Sequence, residues 1–200
     1  MGSLDMAFKV LGISSSQGEF SFSSAGLKIS LEKIKQSGTD VELLDLKQTT
    51  LPLFSTASNK NDAVAMATKM VKSADAFILA TPDYHGSMSG SMKNFLDYYW
   101  SEFSGKLFGY VCASHEKGLT AMDQMRTAVR QCSGWSMPYG ISINGDDDFD
   151  ENRNIINDQV SSKLAMLARD LTVYGQLIQE QFVADLNATN PDTFASNYRS

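Results

Sequence analysis

Residues 75–100 read DAFILATPDYHGSMSGSMKNFLDYYW, and they are the most informative segment about the fold of the chain. Its apolar run, Ala76 to Ala80, is typical of a strand that is buried on both faces. A turn-forming loop, Thr81 to Gly86, follows, and a helical pattern begins again at Met92. A buried strand that opens into a loop and then a helix predicts a ligand crevice at the carboxyl edge of a parallel sheet. Because Tyr84 and His85 stand beside Gly86, which allows close backbone approach, the loop suits a flat aromatic ligand.

The rest of the chain repeats this alternation of strand and helix. The pattern predicts strands at 8–13, 41–44, 76–80, 107–113 and 136–143. It predicts helices at 22–35, 61–71, 93–100, over the apolar face Met122 to Cys132, and at 154–181. Strands separated by helices pair in parallel through right-handed crossovers. We therefore predict an α/β protein: a flavodoxin-like, three-layer α/β/α sandwich whose five-stranded parallel sheet has the order 2-1-3-4-5. One domain would span residues 1–187, with a polar C-terminal tail at 188–200.

Composition excludes several classes of protein. The net charge of -6 argues against a nucleic-acid partner, because neutralising phosphates needs clustered Lys and Arg. No apolar run approaches the roughly 20 residues that cross a bilayer, so no membrane partner is expected. The first six residues are too short and uncharged for a secretory signal. With only two cysteines in the chain, we expect reduced thiols in a cytoplasmic protein.

The loop after the first strand is rich in hydroxyl groups. Residues 14–24, named the serine loop below, carry Ser14, Ser15, Ser16, Ser21, Ser23 and Ser24. Hydroxyls and free amides at a helix start form an anion site, which indicates a bound phosphate. The plainer alternative is that the serines occupy a loop and cap the helix. The loop is neither a Walker loop nor a G-x-G-x-x-G turn.

Four segments together resemble the NADPH-dependent FMN reductase family, whose flavodoxin-like members reduce quinones, azo dyes and chromate. Residues 12–24 (GISSSQGEFSFSS) are similar to its phosphate loop, and residues 45–54 (DLKQTTLPLF) to its Leu-Pro-Leu-Phe segment. Residues 81–98 (TPDYHGSMSGSMKNFLDY) resemble its most specific signature. Residues 111–138 resemble the strand, loop and helix that follow.

The resemblance implies FMN as cofactor and NADPH or NADH as hydride donor. The residues that it implies for the FMN phosphate are Ser14, Ser16, Ser21, Phe22 and Ser23. Those that it implies for the isoalloxazine ring are Pro82, Asp83, Tyr84, His85 and Gly86, with Ser114, His115 and Gly118 at its pyrimidine edge. The chain departs from the family in having Ser16 where an arginine is usual, and Glu116 and Lys117 where glycines are usual.

The flavin would carry the redox chemistry and pass hydride through N5 to a quinone, free flavin or similar small-molecule acceptor. Tyr84 and His85 are the candidates to give the acceptor a proton. A flavodoxin-type electron carrier and a flavin-free regulatory protein on the same fold are the alternatives. The aromatic run Tyr98 to Trp100 cannot all face one way on a helix, which favours a homodimer or homotetramer.

Three other sites are suggested by short patterns and are not favoured. Gly86 to Gly90 resembles a nucleophile elbow, but Met88 stands in place of serine. Cys112 and His115 have metal-like spacing without a second ligand pair, so no metal is expected there. The acidic residues 146–150 lack the glycine of a calcium loop, and we interpret them as a solvated turn before the last helix.

Overall fold

A parallel β-sheet forms the centre of the computed structural model, which describes residues 8–57 and 61–199. Its strands are β1 (Lys9–Ser14), β2 (Asp40–Asp45), β3 (Ala76–Tyr84), β4 (Ser87–Met88), β5 (Leu107–Ala113), β6 (Trp135–Ser136) and β7 (Ile141–Ile143). The strand order is β2-β1-β3-β5-β6, with β7 also paired to β5. All these pairs are parallel, and the path confirms the predicted order 2-1-3-4-5, although the described residues form seven strands and not the five predicted. The N-terminal segment that we tested for a secretory signal lies outside the described residues.

Helices cover both faces of this sheet. They are α1 (Phe22–Gln36), α2 (Asp62–Ser73), α3 (Gly90–Asp97), α4 (Leu119–Gln131), α5 (Gly145–Asp148) and α6 (Asp158–Asn187). Successive residues of a strand point to opposite faces, so Val10 packs with α1 and α6, whereas Leu11 packs with α2, α3 and α4. The two buried clusters give the three-layer sandwich that the sequence predicts.

Polar side chains fix where the helices begin. Ser21, Asn61 and Ser89 each accept a hydrogen bond from the amide three residues on, which caps α1, α2 and α3. The predicted start of α2 at Asn61 is therefore confirmed. Asn157 caps α6 in the same way, three residues after the predicted start at Asn154.

The prediction that a loop begins after Ala80 is wrong, because β3 continues through Tyr84. Asp83 pairs with Met88 and Tyr84 with Ser87, so residues 81–89 form an antiparallel hairpin, named the rim hairpin below. Proline is tolerated at position 82 because β1 pairs with β3 only as far as Ala80, and the missing amide costs no bond on that side.

Three further boundaries differ from the prediction. The fifth strand is interrupted between β6 and β7, where Pro138 has no amide to donate to the ladder. Helix α3 ends at Asp97, so Tyr98, Tyr99 and Trp100 lie beyond it. Helix α6 starts later and ends later than predicted, and Ile156, expected on its apolar stripe, is exposed ahead of it.

The acidic segment 146–150 is not the fully solvated turn that we expected. Asp148 is buried, and its two carboxylate oxygens accept hydrogen bonds from the Asn144 amide and the Asn157 side chain, both at 2.7 Å. This carboxylate therefore ties the end of β7 to the start of α6. The sequence did not predict this role of Asp148, because its two partners are uncharged asparagines that a pattern of charges does not reveal.

The last described residues fold back on α6. Phe194 to Tyr198 form a 3-10 turn, and Phe182 lies 5.8 Å from Phe194 between ring centroids. The Arg199 guanidinium donates to the carbonyl oxygens of Asp185 and Asn190. Within residues 8–57 and 61–199, no helix has both the length and the apolar character needed to cross a membrane.

Candidate functional site

The carboxyl ends of β1, β3 and β5 meet at one rim of the sheet and are joined by hydrogen bonds. Ser15 donates to the Ala80 carbonyl from both its amide and its hydroxyl, each at 3.1 Å. The Ser89 hydroxyl donates to the Ser15 hydroxyl at 2.8 Å. These bonds lock the serine loop to the rim hairpin, so the two predicted segments lie side by side.

Hydroxyl pairs organise the serine loop. Ser14 and Ser24 share a hydrogen bond of 2.5 Å, and Ser21 and Ser23 share one of 2.9 Å. Each pair uses one of its two hydroxyl protons, which leaves the other free for an acceptor. Ser16 is buried and accepts from the Gly18 amide at 3.3 Å, so its oxygen shapes the turn.

The start of α1 adds backbone donors to these hydroxyls. The first four amides of a helix have no partner within the helix. Ser21 satisfies the Ser24 amide with its side chain and the Ala25 amide with its carbonyl. The amides of Phe22 and Ser23 take part in no hydrogen bond within the described residues. They are the donors that an anion could use.

The ring of Phe22 turns away from this anion site. It lies edge-on to Phe20 at 4.9 Å and tilted against Phe149 at 5.3 Å, between ring centroids. A side chain at Gly145 would clash with it, since an added Cβ would lie 2.0 Å from Phe22. Only the backbone of Phe22 can therefore contribute to the predicted phosphate contacts.

The tip of the rim hairpin is an open turn. His85 and Gly86 both have positive φ, 57° and 73°, as a two-residue hairpin turn requires. Tyr84 is 49% exposed, and His85 and Gly86 are also exposed. An added Cβ at Gly86 would have no neighbour within 4 Å. The hairpin thus presents backbone and a phenol ring to solvent at the rim.

The loop after β5 reaches this rim through Ser114, whose hydroxyl donates to Asp83 Oδ2 at 2.9 Å. His115 lies apart from that contact, with Nδ1 3.2 Å from Asn144 Oδ1. Gly118 is buried, and a Cβ there would lie 2.5 Å from Cys112 Sγ. The structure thus brings Ser114 to Asp83, exposes His115 nearby, and gives Gly118 a packing role beneath the loop.

The cysteine below this loop remains a neutral thiol. Burial, followed by the charge of Asp83, raises the pKa of Cys112 to about 12. Burial is also the main cause of the raised pKa of Cys132. Neither sulfur is therefore a thiolate at neutral pH.

Three residues at the rim were missed by sequence reasoning. Ser89 joins the two loops, Gln124 accepts from Ser87 and Met88 of the rim hairpin, and Lys47 donates to the Gly18 carbonyl. A Ser followed by a helical pattern could have indicated Ser89 as a cap. Nothing in the sequence links Gln124 or Lys47 to the rim, because their partners are 29 to 37 residues away along the chain.

An open parallel sheet with polar turns at its switch point defines a flavodoxin-like protein. Solved structures share this fold. FerB, a flavoenzyme NAD(P)H:(acceptor) oxidoreductase from Paracoccus denitrificans, superposes with a TM-score of 0.71 at 15% identity, covering 85% of this chain and 98% of FerB. A flavodoxin from Streptococcus pneumoniae TIGR4 gives 0.57 at 16% identity, covering 84% and 99%.

The family is shown by sequence. Residues 8–147 match the model of the NADPH-dependent FMN reductase family, and the chain belongs to that family. An NADPH azoreductase from Bacillus sp. (strain OY1-2) is 34% identical over 109 residues, which is 52% of this chain and 61% of that enzyme. An NAD(P)H-dependent FMN reductase from Pseudomonas aeruginosa is 34% identical over 125 residues, 58% of this chain and 65% of the relative. The chain thus spans less than two thirds of these relatives.

Proposed function

We propose that this protein is an FMN-dependent NAD(P)H oxidoreductase that reduces quinones, free flavin or similar small-molecule acceptors. One observation carries the proposal: hydrogen bonds hold an anion-binding turn and an open aromatic hairpin together at one sheet edge. Membership of the FMN reductase family supports the same reading. FMN needs both features, because it joins an anionic phosphate to a flat ring.

The residues at the rim fit this cofactor. The Ser14, Ser21 and Ser23 hydroxyls and the Phe22 and Ser23 amides would hold the phosphate, with Ser16 shaping the turn. Asp83 Oδ1 is buried with no hydrogen-bond partner in the described part of the chain. An unpaired buried acceptor is costly, and an N–H donor of a ligand such as the isoalloxazine would satisfy it. The turn at His85 and Gly86 lets the ring approach the backbone.

When bound, FMN supplies the hydride chemistry through N5. Pro82, Asp83 and Tyr84 would orient the ring, and the exposed turn at His85 and Gly86 would leave room for the donor and the acceptor. Tyr84 and His85 are the side chains that could give the acceptor a proton. His85→Gln would leave acceptor turnover unchanged at every pH if His85 has no such role.

The visible absorption spectrum tests this proposal directly. We expect the purified protein, alone or after addition of FMN, to show the absorption spectrum of a bound flavin. In the absence of oxygen, NADPH or NADH should bleach the flavin absorption. Rapid bleaching in an anaerobic stopped-flow experiment separates a reductase from an electron carrier of flavodoxin type. A colourless protein that takes up no FMN would contradict the proposal and favour a flavin-free regulatory role.

We also propose that the protein forms a homodimer or homotetramer. Tyr99 is buried and the Tyr98 hydroxyl donates to the Pro52 carbonyl at 2.9 Å, but Trp100 is 66% exposed. A large exposed aromatic next to a buried aromatic cluster suits a subunit contact. Sedimentation at micromolar concentration tests this, and a monomer under those conditions would contradict it.

A further inference from the structure

The serine loop lacks a positive charge of its own. Between Ser14 and Ser24 there is no lysine, arginine or histidine, and Glu19 adds a negative charge. A phosphate monoester carries about -1.5 to -2 charges at neutral pH. The hydroxyls and free amides at the start of α1 can bind an anion, but they are neutral, and the charge of Glu19 opposes them. A cation from elsewhere in the fold would therefore strengthen phosphate binding.

Lys47 lies directly against the loop. It follows β2, and its amide donates to Asp45 Oδ1 at 3.0 Å, which fixes the backbone at the same edge of the sheet. Its Nζ donates to the Gly18 carbonyl at 3.0 Å. An ammonium group has three donors, so two remain for other acceptors.

The same lysine shares a cavity with the loop hydroxyls. This cavity has a volume of about 310 Å³, and its lining includes Ser16, Ser21 and Ser24 as well as Lys47. None of the ion pairs formed among the described residues involves Lys47. Asp45 and Glu19 also line the cavity, but neither forms an ion pair with Lys47.

Two other cationic side chains, Arg153 and Lys28, lie near the serine loop but make no polar contact with its backbone. The Arg153 guanidinium stacks 4.1 Å from the centroid of the Phe20 ring, on the aromatic side of the loop. Lys28 lines the same cavity from the second turn of α1, but its side chain forms no hydrogen bond within the described residues. Of the three, only Lys47 contacts the loop backbone through a polar atom.

We propose that Lys47 supplies the positive charge for the FMN phosphate that the serine loop lacks. This inference rests on the proposed function, since it assigns one more residue to the same cofactor. It places a phosphate-binding cation in the segment after β2, not in the loop after β1.

Riboflavin provides the test, because it carries the same ring as FMN without the phosphate. Flavin fluorescence would be titrated with the flavin-free full-length protein, at low and at physiological salt. We expect Lys47→Gln to weaken FMN binding about tenfold, as for the loss of one charge-assisted hydrogen bond, and to leave riboflavin binding unchanged. The salt dependence of FMN binding should become shallower in the same variant.

Two further variants make the test specific. Lys47→Arg keeps the charge and should retain FMN affinity. Lys28→Gln removes the same charge from the same cavity without touching the loop backbone, and should leave FMN affinity nearly unchanged. Arg153→Gln should behave like Lys28→Gln.

Each contrary result has a distinct meaning. Equal losses of FMN and riboflavin binding in Lys47→Gln would show that Lys47 only shapes the loop, which overturns its role toward the phosphate. FMN binding that is unaffected by Lys47→Gln, or that is weakened only by Lys28→Gln or Arg153→Gln, also overturns it. A wild-type protein that binds neither flavin overturns the proposed function itself, and the role of Lys47 with it.

Discussion

Gly86 illustrates how one residue determines the shape of the rim. Its φ of 73° lies in the left-handed region, where any Cβ meets the following carbonyl. Because an added Cβ would otherwise have open space, the backbone strain is the only cost of a substitution there. We expect Gly86→Ala to lower the free energy of unfolding by about 1 kcal/mol, measured by urea denaturation.

Gly90 provides a matched control for this prediction. An added Cβ there would also have no neighbour within 4 Å, but Gly90 is the first residue of α3 and has no positive φ. Gly90→Ala should be neutral or stabilise the protein by up to about 0.5 kcal/mol. Equal destabilisation by both substitutions would show that lost space at the rim, and not backbone strain, is responsible.

Burial should make both cysteines unreactive. Cys112 and Cys132 are buried free thiols whose pKa values are raised, so the thiolate that attacks a disulfide reagent is scarce. We expect the native protein not to react with Ellman's reagent at pH 8 within minutes, and both thiols to react after unfolding in guanidinium. Cys132→Ser isolates Cys112. Rapid reaction of that variant in its native state would mean that the loop above Cys112 opens readily.

Residue by residue, the sequence predicted which segments form the candidate site better than what each residue does. Ser21 and Ser23 were identified because hydroxyls at a helix start have a direct physical use. The ring of Phe22 and the packing of Gly118 against Cys112 could not be predicted, since both depend on residues from other elements. Lys47 was missed for the same reason.

One side chain of α4 is hydrogen-bonded to the rim hairpin. Gln124 Oε1 accepts from the Ser87 hydroxyl at 2.8 Å and from the Met88 amide at 3.3 Å. Gln124→Leu would leave the amide of the buried Met88 without a partner, which costs about 1–3 kcal/mol. We expect amide hydrogen exchange in residues 83–88 to become at least about tenfold faster, as measured by mass spectrometry.

Gln131→Leu makes the same change at the exposed end of α4 and serves as the control. It should leave exchange in the rim hairpin unchanged. If Gln124→Leu also has no effect there, the pairing of Asp83 with Met88 holds the hairpin without help from α4.

Elements were predictable where one physical signal dominated. The buried strands β1, β3 and β5 and the cap of α2 follow from apolar runs and from a capping side chain. The prediction failed where signals competed. Pro82 and the Tyr84-His85-Gly86 turn were interpreted as a loop, yet backbone pairing continues on both sides of the turn. Likewise, one apolar segment became β6 and β7 because Pro138 interrupts it.

At the scale of the whole molecule, the two ends of the sheet have different roles. Polar loops occupy the carboxyl end, whereas two half-buried charged side chains, Asp75 and Lys106, lie at the amino end. There the Asp75 carboxylate accepts from the Lys9 amide at 2.9 Å, and Lys106 Nζ donates to the Val71 carbonyl at 3.1 Å. Lys106 also lies 5.6 Å from the centroid of the Phe77 ring.

This placement should make stability depend on pH through Lys106. Burial lowers the pKa of Lys106 to about 8, although the charges of Asp75 and Glu102 oppose that shift. Between pH 8 and the usual lysine value of about 10.4, the unfolded chain binds more protons than the folded protein, so stability rises with pH in that window. Below pH 8, Lys106 is protonated in both the folded and the unfolded state, so burying its charge destabilises the folded protein by the full amount.

Lys106→Met removes this titration while keeping an unbranched side chain. We expect the difference in unfolding free energy, wild type minus Lys106→Met, to rise by about 1–2 kcal/mol between pH 7 and pH 10, allowing for partial exposure. Urea denaturation of both proteins at each pH measures it, and titrations common to both cancel in the difference. Lys69→Met, at an exposed position on α2, should give a flat difference. A flat difference for Lys106→Met as well would mean that Lys106 keeps its charge in water, and that the amino end of the sheet is more open than its packing against Phe77 indicates.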